Sequence, residues 1–443
     1  MFNPSPTLLG KTRALWQQAW PIILSNCTIP LVGLTDTAVL GHLSDARYLA
    51  AVALGAVVFS FLYWGFGFLR MGTTGLAAQA WGRRDSAALG QLILQALTLA
   101  LVLGVLLQAL RPLLPWMTQL LGGSDTIRPL AAEYLALRLW SAPAVLMQYV
   151  VLGVAIALAR SRVVLALLIL GNGINIALDL WFVLGLGMTS QGVALASLIA
   201  EWVTALVGLT WLIRTCRCLN IPLKQPLFER LSLTRLLRVN SHLFVRTLLL
   251  LFALAFFARQ GALLGDEVLA ANTLLMQLVM LASYLLDGFA QAVEGQFGAA
   301  FARNREEGLA VFFAGFYLSA ITALLLTGLF WLAGPWMIQR LTDLSEVRLL
   351  ATTYLPWLWV ILPVSMFSYW LDGVCIGATW TDAMRNTLIL SVTGFLLTWW
   401  LLQDWGNTGL WAAFLCLNSL RGLSLGWIVT QRLGLKRMGQ SRG

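Results

Sequence analysis

Three polar side chains lie inside long apolar stretches of this sequence, Asp36 in the first stretch and Asn175 and Asp179 in the fifth. A carboxylate at the centre of a bilayer costs roughly 2.5–3.5 kcal/mol on insertion scales, so such residues usually face a cavity and mark an ion path. Desolvation and a second nearby carboxylate both favour the protonated form of a carboxyl group. If Asp36 and Asp179 approach each other, they would form a pair able to take up and release a proton.

The spacing of three polar residues in the fifth stretch supports this interpretation. Asn172, Asn175 and Asp179 are three and four residues apart, which places them on one face of a helix. We predict that Asp36, Asn175 and Asp179 bind a small cation, with H⁺ favoured over Na⁺, although carboxylate and amide oxygens serve both ions. For Asn172, a hydrogen bond that only joins two helices is an equally good explanation. No other metal ion and no cofactor is expected.

Further polar residues are candidates for lining a substrate cavity. Ser197 and Glu201 form a stripe in the sixth stretch; Ser197 is equally explained as a helix-joining residue, and Glu201 as a residue near the end of its span. Asp287 and Glu294 are seven residues apart in the eighth stretch and share a helix face. Asp372, in the tenth stretch, is open to three interpretations: a second ion site, a substrate contact or a tie between helices.

Pro21 lies inside the first apolar stretch. Proline removes a backbone hydrogen bond and kinks a helix. The kink is either fixed or changes as Asp36 gains and loses a proton, and we include Pro21 among the cavity candidates for that reason.

The composition indicates a membrane protein. Of 443 residues, 59% are hydrophobic and 11% are charged, whereas a soluble globular protein carries about 25% charged residues. Apolar runs of about 20 residues, enough to cross the hydrocarbon core, recur from Leu15 to the C-terminus. The first run follows Lys11 and Arg13 without a convincing small-residue cleavage site, so we expect a retained first helix.

We predict an all-α integral membrane protein with twelve transmembrane helices. The predicted spans lie near 15–41, 48–80, 87–110, 130–157, 162–184, 192–214, 236–260, 268–300, 308–332, 347–376, 387–403 and 409–431.

The net charge is +10, and the basic residues that give rise to it are distributed according to the predicted spans. Basic residues concentrate in alternate loops, at Arg83-Arg84, Arg160 with Arg162, Arg214 to Arg238, Arg303 with Arg305, and Lys436-Arg437. This positive-inside pattern places both termini in the cytoplasm of a multi-pass inner-membrane protein. No basic stripe interleaved with exposed aromatics is evident, which argues against nucleic acid. No order of Ser, His and Asp and no phosphate loop suggests an enzyme.

The sequence contains an internal repeat. The shift along the chain that places Pro115-Trp116-Met117 on Pro335-Trp336-Met337 also places Gly153 on Gly373, and we call it the repeat shift. Because each half has an even number of spans, the two halves share one orientation, as in a parallel repeat. We predict an N-terminal six-helix lobe at 1–215, a cytoplasmic linker at 216–235 and a C-terminal six-helix lobe at 236–443.

The two halves differ where the ion site is predicted. Under the repeat shift, Asp36 falls on Phe256, Asn175 on Phe395 and Asp179 on Trp399. The first half therefore has polar groups where the second has aromatic rings, and we expect ion chemistry in the first half.

The run Pro21…Asp36-Thr-Ala-Val-Leu-Gly41-His42-Leu…Leu49-Ala50-Ala51-Val resembles the first-helix signature of the multidrug and toxic compound extrusion (MATE) family. The run Asp287-Gly-Phe-Ala-Gln-Ala-Val-Glu294-Gly resembles the DinF branch of that family. The resemblance implies a V-shaped pair of six-helix lobes that exports diverse, often cationic or amphiphilic compounds in exchange for H⁺ or Na⁺.

The resemblance also implies roles for individual residues. The first-helix coupling acid matches Asp36, the fifth-helix Asn and Asp match Asn175 and Asp179, and the bending proline matches Pro21. Asp372 resembles the tenth-helix acid of branches that couple through the second lobe. Those branches also carry a seventh-helix acid, which this chain lacks between 239 and 258.

We therefore expect a cation-coupled antiporter that exports organic compounds by alternating access, and we expect a monomer. The alternative is a flippase of lipid-linked precursors in the same superfamily, which would need a large cationic cavity for phosphates. A channel is less suited to two pseudo-equivalent lobes.

Overall fold

The computed structural model describes residues 8–41, 45–120, 124–224, 226 and 229–434. His42 of the first-helix signature and the basic residues Lys436 and Arg437 lie outside the described residues. Within the described ranges every regular element is helical.

The described residues of the first half form six helical rods, one interrupted at Gly67 and three that contain a 3₁₀ or π segment. We label them α1 Leu8–Gly41; α2 Ala46–Phe66 with Phe68–Gly82; α3 Ser86–Leu106 with the 3₁₀ segment Leu107–Leu113 and Leu114–Leu120; α4 Ile127–Arg138 with Leu139–Ser141 and Ala142–Ala157; α5 Ser161–Asp179 with the π-helical Leu180–Gly185; and α6 Ser190–Cys218.

The second half repeats this order. Its rods are α7 Arg230–Leu263; α8 Asp266–Arg303; α9 Arg305–Leu341; α10 Ser345–Tyr354 with Pro356–Gly377; α11 Thr381–Leu401; and α12 Asn407–Arg432, with a short 3₁₀ turn Gln403–Trp405 before α12.

The lengths of the rods suit a bilayer. Ten of the helices in the described residues are long and apolar enough to cross a membrane. The other two, α1 with 34 residues and α11 with 21, also reach the length of about 20 residues that a span requires. The fold is thus an all-α membrane bundle of twelve spans.

Two helices begin earlier than the sequence predicts, and in both the added turns contain paired polar residues. Helix α7 begins at Arg230 rather than near 236 because its first turns bind α2 and α3: Ser232 donates to Gln95 Oε1 at 2.8 Å, and Arg235 donates to Gln79 Oε1 at 2.8 Å. Helix α11 begins at Thr381 rather than near 387, and Asp382 in its first turn pairs with Arg432 at 2.6 Å. Hydropathy misses such turns because it counts each charge without its partner.

The internal repeat is present in the backbone. Ala159 and Thr379, which the repeat shift brings into register, both have positive φ, at 55° and 59°. The turns around them are closed by equivalent hydrogen bonds, Arg160 N to Ala155 O and Trp380 N to Cys375 O, both at 2.8 Å. Helix packing repeats as well, since α2 packs on α4 and α5 on α6 in the first half, while α8 packs on α10 and α11 on α12 in the second.

Contacts between Cα atoms divide the chain into two compact units. One unit contains Leu24–Asn240, and the other contains the residues up to Ile23 together with Ser241–Gly443. In the latter unit the beginning of α1 packs on α8, where Gln296 donates to the Ala14 carbonyl at 3.0 Å and the rings of Trp16 and Phe289 lie 5.8 Å apart. We refer to the two as the N-terminal unit (24–240) and the C-terminal unit.

Candidate ion-binding site

The carboxyl groups of Asp36 and Asp179 meet in the N-terminal unit. The two side chains interact directly, which joins α1 to the end of the α-helical part of α5. Among the described residues, no N–H or hydroxyl group donates to either buried oxygen of Asp179. Two ionised carboxylates contain no donor and repel each other, so their approach favours a shared proton or a cation held between the oxygens.

The local backbone of α5 changes immediately after Asp179. The helix continues as a π-helical turn over Leu180–Gly185, closed by a hydrogen bond from Leu186 N to Trp181 O at 3.0 Å. Such π turns are rare and often occur at functional sites.

Asn175 lies one turn before Asp179 on the same face, as its spacing predicted. Its Nδ2 donates to Ser197 Oγ on α6 at 3.0 Å, and both residues are buried. The Oδ1 atom of Asn175 is buried and receives no donor from the described residues. The amide therefore offers a further oxygen one turn from Asp179, on the same face of α5.

Asn172 ties α5 to α1. Its Nδ2 donates to Thr28 Oγ1 at 2.9 Å and to the Thr28 carbonyl at 3.3 Å. This geometry is that of a helix-joining residue placed about two turns from Asp179.

Arg138, at the end of the first segment of α4, was not among the residues that the sequence indicated. Its Nη1 pairs with Glu201 Oε1 of α6 at 3.0 Å, and its guanidinium carbon lies 4.7 Å from the centre of the Phe59 ring. Arg138 also acts electrostatically on both Asp36 and Asp179. One sequence signal was available, since a basic residue inside a predicted span requires an acidic partner.

Tyrosines border the same region. Tyr134, one turn before Arg138, is 3% exposed, and a Cβ atom at Gly55 would lie 2.5 Å from its ring. Glycine at 55 thus makes room on α2 for Tyr134. Tyr63 and Ser141 hydroxyls are 3.1 Å apart, and Tyr149 donates to the Tyr63 carbonyl at 3.2 Å.

The structure places Asp372 in a different setting, inside the C-terminal unit. Its Oδ2 accepts hydrogen bonds from both Arg246 of α7 and Arg421 of α12, and the three side chains are 7–8% exposed. Asp372 thus joins three helices through two guanidinium groups.

The remaining predicted residues are distributed over the C-terminal unit. Asp287 accepts from Gln291 Nε2, one turn later in α8, at 2.6 Å. Glu294 is 1% exposed, and Pro21 is buried in α1. Within the described residues, no group of three or more His, Cys, Asp or Glu side chains is arranged to hold a metal ion.

The fold and the buried acidic site together define a twelve-helix membrane transporter. Comparison with known proteins names its family. The MatE family model matches residues 21–181 and 243–400, so the chain belongs to the MatE family.

Individual relatives agree with this membership. The chain is 42% identical to DNA damage-inducible protein F of Escherichia coli (strain K12) over 423 residues, covering 94% of this chain and 92% of that protein. It is 27% identical over 274 residues to a probable multidrug resistance protein NorM of Acinetobacter baylyi, covering 60% of each. The fold matches the outward-facing structure of a multidrug resistance MATE family transporter of the MOP superfamily, with a TM-score of 0.86, 21% identity and coverage of 99% and 100%.

Proposed function

We propose that this transporter exports amphiphilic or cationic organic compounds in exchange for H⁺, and that the proton binds between Asp36 and Asp179. The contact between these two carboxyl groups carries the proposal. A proton stabilises the contact, and its loss leaves two adjacent negative charges that repel each other. Proton uptake and release would thus change the force between α1 and α5.

The surrounding charges support a cation rather than an anion. Three acids, Asp36, Asp179 and Glu201, act on the guanidinium of Arg138, which is already paired with Glu201. These four groups together keep excess negative charge even with one proton bound. A flippase of lipid-linked precursors would need positive charge for phosphates at this place, so the acidic cluster favours the exporter.

The energy available is adequate for uphill export. For an uncharged compound, one H⁺ moved through 100 mV provides about 2.3 kcal/mol, which corresponds to a concentration ratio of roughly fiftyfold. Exchange of one H⁺ for one monovalent cation moves no net charge, so the pH gradient alone drives that export. The name of the NorM relative, a probable multidrug resistance protein, supports drug-like substrates.

Sodium is the second candidate ion, favoured by one observation. The buried Oδ1 of Asn175 has no donor within the described residues and would serve as an oxygen ligand beside the carboxyl groups. H⁺ remains the first choice because the contact between Asp36 and Asp179 needs no further ligand.

We propose the location, oligomeric state, topology and domain organisation that the sequence predicts. The protein lies in the inner membrane as a monomer with both termini in the cytoplasm, needs no cofactor, and alternates access with the bend of α1 near Pro21 responding to the proton. Six-helix lobes at 1–215 and 236–443 and a linker at 216–235 remain our proposed domain organisation.

The test uses purified protein in liposomes, with pH and Na⁺ gradients imposed separately. Asp36→Asn and Asp179→Asn should each abolish efflux driven by a pH gradient, because an amide beside a single carboxyl group cannot share a proton as two carboxyl groups do. Asp343→Asn is the matched control, since the Asp343 side chain is fully exposed, at 104%, and lies far from the site in sequence. Undiminished pH-driven efflux by Asp36→Asn would refute the proposal, and efflux driven by Na⁺ alone would assign the second ion.

A further inference from the structure

An aromatic cluster joins α7 and α11 in the C-terminal unit. The Phe256 ring lies 5.0 Å from Trp399 at an interplanar angle of 87° and 5.5 Å from Phe395 at 80°. Phe252, one turn earlier in α7, lies 6.2 Å from Phe256. We call Phe252, Phe256, Phe395 and Trp399 the aromatic cluster.

Three residues of the cluster occupy positions that the repeat shift relates to the proposed ion site of the N-terminal unit. The repeat shift maps Asp36 onto Phe256, Asn175 onto Phe395 and Asp179 onto Trp399. In both units the first of these residues contacts the third, Asp36 with Asp179 and Phe256 with Trp399. The repeated fold therefore brings equivalent residues together in both units. The residues are acidic in the N-terminal unit and aromatic in the C-terminal unit.

The four rings of the aromatic cluster differ in how much of each side chain is exposed. Phe395 is fully buried at 0%, whereas Phe252 is 49% exposed and Phe256 and Trp399 are partly buried. The buried Phe395 ring packs edge-to-face on Phe256, and Phe256 in turn packs edge-to-face on Trp399. Aromatic faces attract cations and stack against planar rings.

We propose that the aromatic cluster binds the planar, positively charged ring system of an exported compound. This inference rests on the proposed function and deepens it by placing the organic cation in the C-terminal unit and the proton in the N-terminal unit. The cluster attracts a cation through its rings and without a carboxylate. Proton and organic cation then occupy different sites and do not displace each other directly.

The test measures equilibrium binding of two monovalent cations to the full-length protein in detergent, ethidium with a planar ring system and tetrabutylammonium with none. Phe256→Leu and Trp399→Leu should each weaken ethidium binding about tenfold, in line with the loss of one or two ring contacts. Tetrabutylammonium binding should weaken by less than about threefold, because charge attraction to the remaining rings persists.

Two variants control for folding and for surface hydrophobicity. Trp399→Phe keeps a ring and should restore ethidium binding to within about twofold. Trp400→Leu removes the neighbouring Trp400, which is 60% exposed and lies outside the four rings of the cluster, and should change neither affinity.

The outcomes separate the two proposals. Unchanged ethidium affinity in Phe256→Leu and Trp399→Leu would mean that the cluster faces lipid and would overturn this inference alone. An equal loss in Trp400→Leu would do the same. A wild-type protein that binds neither cation would overturn the proposed function together with the inference.

Discussion

At the residue scale, the two units use buried charge in opposite ways. In the N-terminal unit, three acids act on Arg138, and two of their carboxyl groups touch. In the C-terminal unit, Asp372 is shared by Arg246 and Arg421. The repeat shift maps Glu201 onto Arg421, so the sign of the charge is reversed at equivalent positions. The charge of Asp372 is neutralised by two guanidinium groups on Oδ2, although its buried Oδ1 accepts no hydrogen bond from the described residues. The excess positive charge disfavours a second cation and favours the tie between helices among the three roles considered for Asp372.

Replacement of Asp372 tests this role. Asp372→Asn should lower the free energy of unfolding by on the order of 3 kcal/mol, because two buried guanidinium groups lose their shared counter-charge. Thermal unfolding in detergent measures the loss, and efflux per folded molecule should keep its response to a pH gradient.

The control is Asp382→Asn, which breaks a pair with Arg432 whose side chains are 46% and 34% exposed, respectively. An exposed pair contributes roughly 0–1 kcal/mol, so its loss should be small. If Asp372→Asn instead kept full stability and lost its response to the pH gradient, Asp372 would be a second ion site.

Some of these residues could be selected as candidates from the sequence alone, and others could not. Asp36 and Asp179 could be selected as candidates from the sequence because an acid in an apolar span carries a cost that usually reflects a functional role. The pairing of Glu201 with Arg138 could not be predicted, because it depends on how α4 faces α6. Spacing along one helix cannot give that orientation.

At the element scale, glycines set how closely equivalent helices approach. A Cβ atom at Gly153 of α4 would lie 2.8 Å from the Arg70 carbonyl oxygen of α2, and one at Gly373 of α10 would lie 2.5 Å from the Ala290 carbonyl oxygen of α8. Arg70 and Ala290 are themselves related by the repeat shift. Small residues permit such backbone contact between membrane helices. The two halves therefore share this close helix contact as well as the order of their helices.

Gly373→Ala should separate α8 from α10. Because the clash is with backbone rather than with a movable side chain, we expect a loss of about 1–3 kcal/mol in the free energy of unfolding. The matched control is Gly426→Ala in α12, where the added Cβ would meet Leu371 Cδ1 at an ordinary 3.7 Å. Equal thermal stability of the two variants would contradict the close approach of α8 and α10.

The breaks within helices were harder to predict than the helices themselves. Twelve apolar stretches were evident from hydropathy, but the interruption at Gly67, the 3₁₀ segment Leu107–Leu113 and the π turn after Asp179 were not. Such breaks depend on hydrogen bonds that neighbouring helices supply to the freed backbone groups. A single-helix pattern contains no information about those neighbours.

At the scale of the whole molecule, symmetry in the backbone coexists with asymmetry in chemistry. The repeated turns at Ala159 and Thr379 show that one architecture was used twice, while the sites at Asp36 and Phe256 differ completely in polarity. Two similar bundles with different chemistry suit a transporter that binds an ion in one bundle and an organic compound in the other. This division needs a defined orientation in the membrane, because export has a direction.

The orientation can be measured through Cys218. Helix α6 ends at Cys218, which is exposed, next to the basic connection toward Arg230. Because positive loops stay in the cytoplasm, a membrane-impermeant maleimide should label Cys218 in inside-out vesicles and not in intact cells stripped of their outer membrane.

Two variants make the labelling specific. Cys218→Ser should abolish the signal. Cys216 and Cys375 are buried, and a buried thiol reacts slowly. Cys27 and Cys416 are partly exposed, but they lie within the apolar helices α1 and α12, which a membrane-impermeant reagent does not enter. Asp343→Cys, between α9 and α10, lies an odd number of spans from Cys218 and should be labelled from the outside. Labelling of Cys218 from the outside would reverse the topology and with it the direction of proton entry, since the site at Asp36 and Asp179 would then take up its proton from the opposite compartment.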